Sequence, residues 1–263
     1  MTRFDADTAL NPAGEGRWHA DITDAWNGIE GKPNGGYLFA TALAALSRSL
    51  DGRQPLTATG HFLRPGSIGK AEIDVDVVRT GRLISTGTAS LRQDGTERLR
   101  LLAGYTTGKP SGERGFSAAP PEIPGPDDCL TPPTPPNVGA SIADRFDYRV
   151  TPASRWIRGT KSAAAQLDAW IRFADGRAVD LAALPLVVDA FPPVIFEVAD
   201  GVVVPTVELT VHFRQPPGAG WLQARVRSRA LIAGMIEEDV DLWDAAVQLV
   251  AMSRQLAVVQ PIG

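Results

Sequence analysis

Two hydrophobic patterns alternate along the chain. Residues 37–50, rich in Leu, Ala and Phe and directly preceded by Asn34-Gly35-Gly36, are apolar on most sides of a 3.6-residue period, which predicts an enclosed helix with glycines at its start. Residues 57–63, 70–80, 83–92 and 98–106 instead alternate apolar and polar positions, the two-residue period of strands with one buried face. Arg64-Pro65-Gly66, Thr80-Gly81 and Asp94-Gly95 supply turns between them, so the four strands predict an antiparallel sheet. The same order returns later: a helix over 178–190, followed by Pro192-Pro193, then strands over 203–213, 221–230, 235–243 and 247–259. A helix wrapped by an antiparallel sheet is an α+β unit, and the pattern contains it twice.

Landmark residues test the duplication. His61-Phe62 recurs as His212-Phe213, Pro65 as Pro216, Gly69 as Gly220 and Leu91 as Leu242, each 151 positions on. Histidine occurs only three times in the chain, and two of the three fall on equivalent positions beside Phe. From residue 107 to 141 the composition turns Pro-rich, and prolines, lacking N–H and fixed in φ, make regular structure improbable there. The expected organisation is a first repeat over 1–108, a Pro-rich linker over 109–141 and a second repeat over 142–263.

Composition narrows the function classes. A hydrophobic fraction of 44% with 21% charged residues predicts a buried core, and 263 residues fit one large domain or two small ones. The balance of 26 basic against 30 acidic residues offers no broad positive field for phosphate backbones, which argues against nucleic acid as a partner. No apolar run approaches the ~18 to 20 residues that span a bilayer, so no integral membrane segment is expected. The single Cys129 cannot form an internal disulfide, and the first residues lack a basic-then-apolar leader; the expected compartment is the cytoplasm. His19, His61 and His212 are isolated and no Cys pair exists, so no metal site is expected. Neither a G-x-S-x-G elbow nor a nucleotide-binding glycine motif occurs, which leaves serine-hydrolase, redox and kinase chemistry without a foothold and predicts no cofactor.

Several segments together carry a family likeness. Asn34-Gly35-Gly36-Tyr37 with the helix behind it, then His61-Phe62-Leu63-Arg64-Pro65-Gly66, and in the second half Leu186-Val187-Val188-Asp189, Thr206-Val207-Glu208 and residues 249–255, resemble the TesB-like acyl-CoA thioesterases, the double hot-dog family. The resemblance covers nearly the whole chain. It implies two hot-dog folds side by side with a continuous sheet, a long helix lying across each half, and acyl-CoA bound at the seam and hydrolysed to free acid and CoA. The family's catalytic aspartate stands at the end of the second helix, which is Asp189 here. Its threonine opens the strand before the aromatic turn, matching Thr206, and its glutamine follows a Leu-Val-Ala stretch on the last strand, matching Gln255. Gly35, Gly36 and Tyr37 at the first helix start, together with His61 and Phe191, are the candidate substrate contacts, and Trp170 and Phe196 are candidate walls of an acyl pocket. The resemblance further implies pairing of chains into homodimers or homotetramers. Arg254, directly before Gln255, and residues 156–159 match nothing in the family pattern.

The residue types suit the reaction. Thioester hydrolysis needs a water held near the carbonyl carbon, a group to take its proton, and donors where negative charge develops. An aspartate accepts the proton, while a hydroxyl and a carboxamide orient the water. A glycine-rich helix start offers unpaired N–H groups and room for close approach, which makes Gly36 the expected donor to the oxyanion, although the same glycines also permit tight packing. His61 and His212, at strand-to-turn positions, equally suit structural roles. A hot-dog scaffold also supports hydratases and non-catalytic acyl-CoA binders. The helices lack a hydratase's His and Asp pair, and Asp189 separates a hydrolase from a binder, which has no use for an acid in its pocket.

Overall fold

The computed structural model describes residues 1–28, 31–108, 115–133 and 141–262. Among these described residues, thirteen strands form one antiparallel sheet. Helix α1 (Arg3–Asp7) leads into β1 (Asn11–Gly14) and β2 (Arg17–Ile22), and α2 (Gly35–Ser49) follows. The remaining strands of the first half are β3 (Gln54–Phe62), β4 (Gly69–Arg79), β5 (Ile84–Gln93) and β6 (Thr96–Thr106). The second half runs β7 (Phe146–Val150), α3 (Arg155–Arg158), β8 (Gln166–Phe173), α4 (Leu184–Val188), β9 (Val202–Val203), β10 (Thr206–Phe213), β11 (Leu222–Arg227), β12 (Leu231–Ile232), β13 (Met235–Trp243), β14 (Leu249–Val258) and β15 (Gln260–Pro261). Across the sheet the order is β2-β4-β5-β6-β3 and then β10-β14-β13-β11-β8, so each half is the other's mirror in connectivity, with the strand after each helix at the centre.

The central pair fixes the relation between the halves. β3 and β10 pair antiparallel with Thr59 opposite Thr210, and their hydroxyls share a 2.8 Å hydrogen bond. These two residues are themselves 151 positions apart, so the pseudo-two-fold axis of the duplication passes between them. The landmarks agree with it: Gly69 and Gly220 open β4 and precede β11, and both hold φ above +100°, a conformation that favours glycine.

One face of the sheet carries the core. Ala58, Ile73, Leu91, Leu101, Val211, Val226 and Leu242 point to the helix side and are fully buried against α2 and α4. Asn34 caps α2, its Oδ1 accepting the Tyr37 N–H at 3.0 Å. The helix expected over 178–190 is only the five residues of α4. Pro185 sits in its first turn and could not have continued a helix from upstream, because its ring would meet the carbonyl four residues back. Upstream of it, Asp180 closes a turn by accepting the Ala183 N–H.

The opposite face of the second half is strapped by residues 115–133. Trp243 Nε1 donates to the Ala118 carbonyl at 2.9 Å, Gln223 Nε2 to Pro121 at 2.5 Å and Trp170 Nε1 to Pro124 at 2.9 Å. Gln223 stands in register with both Trp243 on β13 and Trp170 on β8, so three adjacent strands hold the strap by one row of donors. The accepting carbonyls recur every third residue, the period of a polyproline II chain. Residues 109–114 and 134–140, which the sequence assigns to the linker, lie outside the described residues. Residues 156–159, unmatched in the sequence, fall in and just after α3, which Ser154 caps and Gly159 ends at φ 66°.

Candidate functional site

Asp189 is the C-cap of α4 and meets the N-terminus of α2. Its Oδ2 accepts the Gly36 N–H at 2.6 Å, and its backbone carbonyl accepts Asn34 Nδ2 at 3.0 Å. One residue, Asn34, thus caps α2 with its oxygen and ties down the end of α4 with its nitrogen. The contact needs glycine. A Cβ on Gly36 would lie 2.5 Å from the Pro185 carbonyl oxygen, 2.7 Å from Asp189 Cβ and 2.9 Å from Leu186 Cα, and one on Gly35 would press the Phe62 ring and Asp189 Oδ2. Burial pushes the Asp189 carboxyl up to about 6, against the opposite pull of the Gly36 N–H and the Asn34 amide. The group is a carboxylate at neutral pH, held close to the point where it can take a proton.

Thr206 and Gln255 meet directly, Thr206 Oγ1 donating to Gln255 Oε1 at 3.2 Å. A bulge produces this contact. The register of β10 against β14 shifts between Thr206 and Glu208, so Thr206 lies opposite Ala257 on the buried face instead of following Glu208 to the outer face. Gln255 is 8% exposed and its Nε2 donates to Glu238 Oε1 at 2.9 Å. Glu238, opposite Gln255 in the β13–β14 ladder and 4% exposed, also accepts the Val194 N–H at 2.5 Å. Burial pushes Glu238 up to about 8 and the nearby charge of Asp189 adds to that, while the Val194 and Gln255 donors pull the other way. Among the described residues Asp189 makes no side-chain hydrogen bond to Thr206 or Gln255; the link between them runs through Glu238, which accepts from Gln255 and from the N–H of Val194, five residues after Asp189.

The other expected contacts divide. Gly35 lies at the site, between Phe62 and Asp189. The Gly36 N–H is engaged by Asp189 and the Tyr37 N–H by Asn34, so in this structure one amide holds the Asp189 carboxyl and the other belongs to the helix cap. The Tyr37 ring is fully buried and its hydroxyl donates to the Asp7 carbonyl at 2.7 Å, a structural placement. His61 is exposed opposite Glu208 on the outer face of β3, whereas its neighbour Phe62 faces Gly35, and alternation along the strand keeps His61 on the far side of the sheet from Asp189. Phe191, in the turn after Asp189, is buried edge-on to Tyr148. Trp170 lies on the strapped outer face and is no wall of a pocket on the helix side, while Phe196 packs beside Ile195, Ile236 and Ala257. Glu238 escaped the sequence reading, although an acidic residue at an inward position of the row Ile236, Glu238, Val240, Leu242 was a visible signal.

Comparison with known proteins bears on this arrangement. Residues 22–107 match the acyl-CoA thioesterase N-terminal domain and residues 126–259 the acyl-CoA thioesterase C-terminal domain. A crystal structure of a candidate thioesterase II from Thermobifida fusca superposes with a TM-score of 0.90 at 34% identity, covering 99% of this chain and 98% of that one. A hot-dog protein of unknown function from Alicyclobacillus acidocaldarius gives 0.88 at 25% identity, covering 99% and 98%. The thioesterase-like protein TwmA of Talaromyces wortmannii is 27% identical over 86% of this chain and 83% of its own length. Among the described residues no helix is long and apolar enough to cross a membrane. With both domain models matched in order on a duplicated helix-on-sheet fold, this chain belongs to the acyl-CoA thioesterase family of those models and has a double hot-dog architecture.

Proposed function

We propose that the protein hydrolyses acyl-CoA thioesters with a water held by Asp189, Thr206 and Gln255. The observation that carries this reading is Asp189 itself: a carboxylate set against a helix N-terminus and raised to about 6 by burial, on the segment whose Val194 N–H shares the Glu238 carboxyl with the bonded Thr206 and Gln255 pair. The hydrogen bonds support these roles. Thr206 gives its proton to Gln255, which leaves its oxygen as an acceptor, and Gln255 keeps one Nε2 hydrogen beyond the one given to Glu238. A water donating to Asp189 and Thr206 and accepting from Gln255 keeps one lone pair for the carbonyl carbon. Its oxygen attacks, its proton passes to Asp189, and the tetrahedral intermediate collapses with loss of the CoA thiolate, which takes that proton to leave as thiol. Because Gly36 and Tyr37 hold their own partners, the oxyanion role expected at Gly36 moves to other donors, and Gly36 serves by fixing the base.

The test is thiol release from a panel of acyl-CoAs of differing chain length, native protein against Asp189→Asn. Loss of turnover by about a hundredfold or more supports the mechanism, that being typical for a positioned acid-base group. Native protein that binds acyl-CoA and releases no thiol on any chain length is an acyl-CoA binder and not a hydrolase; turnover unchanged in the variant overturns the catalytic assignment.

A further inference from the structure

Along β13 the residues facing the helices are Ile236, Glu238, Val240 and Leu242, all buried, and Glu238 alone among them is charged. Each of its oxygens has one donor: Val194 N–H on Oε2 and Gln255 Nε2 on Oε1. Val194 opens the turn reached from Asp189 through Pro192-Pro193, so this one side chain ties the segment after the base to the amide of β14. Resting on the role proposed for Gln255, we propose that Glu238 is a positioning residue: it turns the Gln255 carboxamide so that its oxygen faces Thr206, which leaves the Thr206 hydroxyl an acceptor for the attacking water.

The partner chemistry explains why the residue is a glutamate. Both neighbours of Glu238 are donors, and a carboxylate accepts at both oxygens. A carboxamide of the same shape accepts at only one. With glutamine at 238, either the Val194 N–H is left buried and unpaired, or Gln255 turns round and points Nε2 at Thr206. A proton on Glu238 Oε1 acts likewise, since Gln255 must then offer its oxygen to Glu238. The ionisable groups around it are sorted by face. Asp189, at the end of α4, shares the interior and raises Glu238 by repulsion. Asp239 lies on the opposite face of β13, where Arg254 pairs with it at 2.6 Å, and Glu237 on that face pairs with Arg229. Turnover should therefore rise with pH twice, once as Asp189 ionises near 6 and again as Glu238 ionises near 8.

The experiment uses the full chain and compares native protein with Glu238→Gln, Gln255→Ala and Asp189→Asn, reading kcat, KM and their pH profiles on one acyl-CoA. Glu238→Gln is expected to lower kcat by roughly ten- to a hundredfold, the range of a misplaced catalytic group, with KM little changed. It should keep the rise near 6 and lose the rise near 8. Gln255→Ala, with no amide left to turn, should lose the upper rise as well, and this arm decides the matter if Glu238→Gln does not fold: an upper rise that survives in Gln255→Ala, or that native protein lacks, overturns the inference. Glu238→Gln with native kcat and profile overturns it too. When Asp189→Asn is inactive and Gln255→Ala is slowed while Glu238→Gln is unaffected, this inference alone fails. Native turnover in Asp189→Asn instead removes the mechanism it rests on.

Discussion

Replacing Gly36 by alanine puts a methyl where two backbones meet. The new Cβ would stand 2.5 Å from the Pro185 oxygen and 2.9 Å from Leu186 Cα. Neither atom belongs to a flexible side chain that can swing away, so α2 and α4 must separate by several tenths of an ångström. Overpacking of this kind costs about 1–3 kcal/mol. Alanine's better helix propensity returns less than ~1 kcal/mol. The net loss is about 1–2 kcal/mol, a fall in melting temperature of roughly 2–8 °C for a chain of this size. Separation also moves Asp189, the proposed base, because its Oδ2 hangs on the Gly36 N–H and its Cβ would lie 2.7 Å from the methyl. Thermal melts give the first effect; turnover measured well below the transition gives the second, and kcat should fall by at least tenfold. Gly35→Ala is the comparison, since its first contact is the Phe62 ring, a side chain that can rotate, and its melting temperature should fall less. A Gly36→Ala protein with native melting temperature and native turnover refutes the reasoning.

Three further outcomes follow from the same contacts. The Asp189 carboxyl is raised in the folded state, so the stability of its neutral form is fully present below the ordinary carboxylate value and is lost as pH rises through about 6; Asp189→Asn should melt higher than native at pH 7.5, by about 1–2 kcal/mol after allowance for its partial exposure, and the gap should close below pH 4. Gln223→Leu leaves the Pro121 carbonyl of the strap without its donor and should cost about 1–2 kcal/mol in denaturant titration, with turnover unchanged because the strap lies across the sheet from Asp189. Arg254→Ala removes an ion pair with Asp239 on the outer face, and since Arg254 is 56% exposed the expected loss is under ~1 kcal/mol, with kcat and KM as native despite its position next to Gln255.

The strands were legible in the sequence because alternation reports a half-buried face directly. The strand read over 235–243 is β13 to the residue, and the pairs His61/His212 and Gly69/Gly220 located the two-fold before any contact was known. What stayed hidden depends on partners distant in the chain. The run over 178–190 is as apolar as a helix, yet Pro185 and the Asp180 turn confine α4 to five residues. No element is assigned from the pattern before residue 37, and α1 is held by Phe4 packing edge-on to Trp26, 5.9 Å between centroids. Thr206 reads as an ordinary strand residue, and only a bulge brings it to the face that Gln255 occupies. Trp170 has the size of a pocket wall, but its period along β8 puts it outside. Residues 115–133 of the Pro-rich segment form no named strand, though Leu130 bridges to Val150 of β7, and their use as a row of acceptors required the strand register that sets Trp243, Gln223 and Trp170 side by side.

The pseudo-two-fold through Thr59 and Thr210 lets each half serve as the other's control. The β5–β6 and β13–β14 ladders both change register directly after equivalent leucines, Leu91 on β5 and Leu242 on β13. Counting back four residues from each, the facing pair Glu238 and Gln255 corresponds to Gly87 facing Ala103. Pro55 stands where the second half has Thr206. The first half has therefore traded ionisable and amide groups for small or rigid ones, and its full-length helix fills the room they leave: a Cβ on Gly87 would lie 2.6 Å from Leu46 Cδ1. Duplication has let the two copies specialise, one as a packed scaffold and one as the bearer of polar groups under a helix cut short. Restoring Gly87→Glu in the scaffold copy would meet a closed core, so the asymmetry is locked in by volume as well as by chemistry.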